Sequence, residues 1–85
     1  ASKGGIASSI FDVKLIVKEA LLENAASIAL CHNHPSGNLR PSPQDDDITR
    51  RCKEACRLMD MRLVDHLIVS ADNTGYYSYF DEGRL

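Results

Sequence analysis

The run Ala26-Ser27-Ile28-Ala29-Leu30-Cys31 constrains the fold more than any other part of the chain, because a segment so short and so apolar offers no wet side. It reads as a central strand buried on both faces, a position that requires helices packed on the sheet. The flanking periodicity supplies them. From about Phe11 to Glu23 the apolar residues Val13, Ile16, Val17, Ala20 and Leu21 recur at helical spacing, with Asp12 or Ser9 available as cap. From about Pro43 to Asp60 a second helix is expected, its acidic start Asp45-Asp46-Asp47 complementing the helix dipole. Asp46 with Arg50 and Asp47 with Arg51 stand at i,i+4 spacing, where ion pairs form. Arg62 to Ala71 reads as another strand, Asp72-Asn73-Thr74-Gly75 as a hairpin turn, and Tyr76 to Phe80 as an antiparallel edge strand. The expectation is one α/β domain with a mixed sheet.

At 85 residues, 44% of them hydrophobic and none of them Trp, the core must be small, and a metal tying two elements together would contribute to it. Three cysteines, an odd number, argue against a disulfide framework. Cys52 and Cys56 lie one helical turn apart on a stripe with Ile48, Ala55 and Met59, which is core spacing. No apolar run is long enough to span a membrane and no signal-peptide pattern opens the chain, so a cytoplasmic location is expected.

The central strand runs into His32-Asn33-His34-Pro35. Histidines two apart on an extended segment project to the same side, roughly 6–7 Å apart along the backbone, so both imidazoles can converge on one ion. Cys31 points to the opposite face and is a poor ligand. After the turn-rich segment from Pro35 to Pro41, Asp45 can complete a set of three protein ligands, the number that leaves a catalytic zinc one open position. A competing account needs no metal: Ser42 as N-cap, Pro43 as first helical residue and Asp45 as the acid of a capping box. Asp is shorter than the Glu or Gln such a box prefers, which tilts Asp45 toward ligation. The two roles are compatible, since a helix start fixes a carboxylate in space.

His-x-His-Pro, six residues, Ser, two residues, Asp resembles the motif of JAMM, or MPN-plus, metalloproteases, matched in full from His32 to Asp45. More narrowly, His32-Asn33-His34-Pro35-Ser36-Gly37, Asn24-Ala25-Ala26, Leu63-Val64-Asp65-His66 and Tyr77-Ser78-Tyr79-Phe80 resemble the bacterial RadC family over nearly the whole chain. The resemblance implies a cytidine-deaminase-like three-layer α/β sandwich and zinc held by His32, His34 and Asp45. It also implies Ser42 assisting at a developing oxyanion, and carries a family label of DNA repair. That motif family draws its general base from a Glu on a strand upstream of the first helix. Here the first Glu is Glu19, so the expectation is a domain lacking its amino-terminal strand and base. Glu19, Glu23, Glu54 and Glu82 are poor substitutes by position.

The functional expectation is a zinc metallohydrolase, a peptidase or isopeptidase, acting on a protein or peptide. The alternative is a DNA-associated accessory module with a structural metal, or a metal-dependent nuclease. Arg50, Lys53 and Arg57 share a helical face, but 10 basic against 12 acidic residues make it read as a solvated surface rather than a nucleic-acid site. A zinc deaminase would need His-x-Glu with Pro-Cys-x-x-Cys, and neither is present. His66, within a strand, reads as structural, or as a residue orienting a ligand imidazole.

Overall fold

The computed structural model describes residues 12–72 and 74–85, and of residues 5–8 the course of the backbone. The elements run β1 (Gly5–Ser8), α1 (Val13–Leu22), β2 (Ser27–His34), α2 (Pro43–Leu58), β3 (Arg62–Ser70) and β4 (Tyr76–Ser78). The sheet is mixed, in the order β1-β2-β3-β4, with the first three strands parallel and β4 antiparallel to β3. Each parallel neighbour is reached through a helix, as a parallel pair demands.

Helix α1 begins where Asp12 accepts the backbone N–H groups of Lys14 (2.9 Å) and Leu15 (3.4 Å), so the cap is Asp12; Ser9 lies outside the described residues. Both helices end alike. Asn24 (φ 52°) and Asp60 (φ 56°) take the left-handed conformation, and Ala25 N–H and Met61 N–H return to the carbonyls of Ala20 (2.9 Å) and Cys56 (2.8 Å). This closure satisfies carbonyls of the last turn and folds Ala25 and Met61 into the core. Gly75 closes the turn into β4, while Asn73 of the expected hairpin turn is outside the described residues.

The core gathers Ile16 and Ala20 of α1, Ile48, Cys52 and Cys56 of α2, Ile28 and Leu30 of β2, and Leu63 of β3. Both helices therefore share one face of the sheet, two of the three layers of the expected sandwich. β2 consequently alternates instead of being buried on both faces: Ile28, Leu30 and His32 are buried, whereas Ala29 and Cys31 are half-buried. Leu21 and Met59, expected inward, are exposed at 52% and 50%, because the buried stripes end at Ala20 and Cys56. The neighbouring Cys56 thiol and burial push the Cys52 thiol strongly toward its protonated form.

The register of β2 on β3 decides the site. Ile28 pairs with Leu63 but Ala29 with Asp65, an irregularity that passes over Val64. Beyond it, His66, Ile68 and Ser70 face the helices and are buried. Without it, simple alternation from Leu63 would turn Asp65 inward and His66 out.

Candidate metal centre

β2 extends through His34, farther than its apolar run, and so carries both histidines to its carboxyl end beside the start of α2. Carboxyl ends of parallel strands are where open α/β sheets bind ligands. Pro35 then opens a turn closed by Gly37 N–H on the His34 carbonyl (3.0 Å), with Gly37 at φ 80°. That reversal sets the Asn38 carbonyl 2.7 Å from His34 Nδ1.

α2 starts with a complete capping box. Ser42 Oγ accepts Asp45 N–H at 3.1 Å, and Asp45 Oδ2 accepts Ser42 N–H at 2.7 Å. The short Asp arm therefore does reach the cap, contrary to the length argument. The box aims the carboxylate at the histidines, and Asp45 lies 2% exposed with Oδ1 at 2.9 Å from His32 Nε2 and Oδ2 at 3.1 Å from His34 Nε2. The structure thus brings His32, His34, Asp45 and Ser42 together.

His66 joins them. Its Nε2 lies 3.0 Å from His32 Nδ1, its Nδ1 lies 2.5 Å from Thr49 Oγ1, and its ring stacks on Tyr79 at 4.8 Å with planes 6° apart. His32, Asp45 and His66 each offer a ligand atom within 4.8 Å of the others, so this buried cluster could hold a metal ion. The sequence left His66 between a structural role and orienting a ligand imidazole; the pairing of β2 with β3, where Leu30 faces His66, sets it beside His32.

Burial dominates the electrostatics of His32 and His66. It depresses the His32 pKa against the opposing pull of Asp45, with His34 adding to the depression. It pushes His66 down to about 4, helped by His32. For Asp45 burial acts upward but is outweighed by the Ser42 N–H and hydroxyl and then by the two histidines, so the carboxyl is held below its usual range. These shifts favour the neutral imidazole at His32 and His66 and the carboxylate at Asp45, the forms that suit a cation.

The donor set fits such a cation. The Asn38 carbonyl can only accept, so His34 Nδ1 carries a proton, and in the neutral ring Nε2 is a lone pair aimed at a carboxylate oxygen. Two electron-rich atoms at 3.1 Å need positive charge between them: a second proton or a metal ion. Imidazole and carboxylate donors in this combination suit a divalent metal ion.

Other expectations are resolved nearby. Asp46 does not pair with Arg50; it accepts Tyr79 O–H (2.7 Å) and Arg84 (2.8 Å), contacts made by the last residues of the chain. Asp47 takes Arg50 and, at 3.8 Å, Arg51, and Glu54 takes Arg57. Lys53 donates to the Leu85 carbonyl (2.8 Å). Glu19, Glu23, Glu54 and Glu82 are all exposed. Among the described residues no helix is long and apolar enough to cross a membrane.

Comparison with known sequences matches the RadC-like JAB domain over residues 1–84. The chain belongs to the RadC family. A UPF0758 protein of Flavobacterium johnsoniae is 50% identical over 82 residues, covering 96% of this chain and 35% of that protein. A UPF0758 protein of Porphyromonas gingivalis is 46% identical over 84 residues, covering 99% and 37%, and one of Streptococcus sanguinis is 49% identical over 79 residues, covering 93% and 34%. This RadC-like domain spans about a third of the length of these relatives.

Proposed function

We propose that the domain is the metal-holding part of a zinc hydrolase that cleaves amide bonds, a peptidase or isopeptidase, with His32, His34 and Asp45 as ligands. One observation carries the reading: the Nε2 atoms of two histidines converge on the two oxygens of one buried carboxylate, at 2.9 and 3.1 Å. His66 is set behind His32, against the nitrogen that faces away from Asp45, which supports an orienting role over ligation. Bound zinc would supply a Lewis acid for a carbonyl oxygen and a water of lowered pKa. Ser42 accepts Asp45 N–H and so keeps its own hydroxyl proton to donate to a developing oxyanion. The base is proposed to be a Glu other than Glu19, Glu23, Glu54 and Glu82, which are all exposed, as the resemblance to JAMM metalloproteases implies. Among the described residues Asp45 is the one buried carboxylate, which favours hydrolysis at one metal over a two-metal nuclease, which gathers more acidic ligands. Cytoplasmic location and the DNA-repair label of the family remain part of the proposal.

Protein purified without chelator should carry one zinc per chain, and His34→Ala should lose it. A longer chain should hydrolyse isopeptide or peptide bonds and be silenced by one upstream Glu→Gln change. Stoichiometric zinc in His34→Ala would overturn the ligand set, and zinc-independent hydrolysis would overturn the mechanism.

A further inference from the structure

Behind the candidate ligands runs a buried line of polar atoms: the Asp45 carbonyl, Thr49 Oγ1, the two nitrogens of His66 and the Nδ1 of His32. Its first member fixes the direction of every proton. Thr49 Oγ1 lies 2.7 Å from the Asp45 carbonyl oxygen, and a carbonyl only accepts, so the hydroxyl must donate there. Reversal would leave two oxygens at that distance with no hydrogen between them. With its proton committed, Thr49 Oγ1 accepts from His66 Nδ1 at 2.5 Å. A neutral His66 then has a lone pair on Nε2, which accepts from His32 Nδ1 at 3.0 Å. His32 is left with its lone pair on Nε2, the atom that faces Asp45 at 2.9 Å.

We propose that Thr49 and His66 are positioning residues that set the tautomer of His32, presenting Nε2 unprotonated to the metal. This inference rests on the zinc reading above. The parts are held rigidly: Thr49 and His66 are 4% and 1% exposed, β-pairing sets His66 opposite Leu30, and Tyr79 stacks on its ring. Because Thr49 sits one turn after Asp45 on α2, the helix that supplies one ligand also orients another through its own backbone carbonyl. Hydrogen bonds of this kind raise ligand basicity and fix ring orientation in metal sites.

Thr49→Val keeps the shape and removes the hydroxyl, whereas Thr49→Ser keeps the hydroxyl. Zinc affinity measured by competition with a chromophoric chelator should fall about 10–100-fold in Thr49→Val and stay close to that of the unaltered protein in Thr49→Ser. Long-range proton–nitrogen correlation on the unaltered protein should find the His66 proton on Nδ1 with or without zinc, and in the zinc form the His32 proton on Nδ1. The unaltered protein's own titration tests the zinc reading separately. Equal affinity in Thr49→Val and the unaltered protein would overturn the relay. So would a His66 proton on Nε2, which needs no variant to detect.

Discussion

Acidifying the metal-free protein should cost it much of its stability between pH 6.5 and 4, with His66 as the chief cause. This histidine is 1% exposed, and burial pushes its pKa from 6.5 to about 4. Above pH 6.5 it is neutral in both folded and unfolded chains and contributes no pH dependence. As the pH falls, the unfolded chain binds the proton while the folded chain does not, so stability declines until the folded pKa is reached. At about 1.36 kcal/mol for each pH unit between the two values, the loss is about 3 kcal/mol. His32, also depressed by burial, adds in the same direction. Asp45 acts lower: its stabilisation is present above 3.8 and is lost as the pH falls below that value. For a chain of 85 residues, whose stability is on the order of 4–13 kcal/mol, such a loss is large. Urea unfolding in chelator should show the midpoint falling by about 1–3 M from pH 7 to pH 4. His66→Phe, which can keep the stack on Tyr79, should flatten that dependence whatever its effect at pH 7. A midpoint independent of pH over this range, or an equal slope in His66→Phe, would refute the reasoning.

Ser42→Ala should lower the stability of metal-free protein by about 1 kcal/mol, because the capping box loses the acceptor for Asp45 N–H; an unchanged melting curve would remove the cap. Ile28→Ala, at a fully buried position of the central strand, should cost about 2–5 kcal/mol in chemical denaturation, and a loss below 1 kcal/mol would contradict the core assignment. If, as proposed, none of its glutamates serves as the base, the 85-residue chain loaded with zinc should show negligible peptidase activity, because removing a base typically costs ~10²–10⁴-fold. Zinc-dependent turnover abolished by Glu19→Gln would contradict this.

Much of the centre was legible in the sequence because its parts are local. His32 and His34 share a face through strand alternation, and Ser42, Pro43 and Asp45 announce a helix start at fixed offsets. The helices and the β4 edge followed from periodicity and turn residues in the same way. What escaped depends on long-range pairing. Gly5–Ser8 is too short to signal a strand alone, and becomes one by pairing with Ser27–Leu30. The inward turn of His66 depends on the irregularity at Ile28 and Ala29, which no alternation within β3 reveals. Asp46 found its partners, Tyr79 and Arg84, at the far end of the chain instead of one turn along its own helix.

The central claim is that one ion sits among His32 Nε2, His34 Nε2 and the Asp45 carboxylate, with His66 behind. A crystal structure of zinc-loaded protein, with diffraction collected on both sides of the zinc absorption edge, tests it most directly. The predicted result is a single anomalous peak within about 2.0–2.2 Å of those three donors, with His66 bonded to His32 and not to the ion. A peak ligated by His66 in place of His34, or zinc bound only at the surface, would contradict the account.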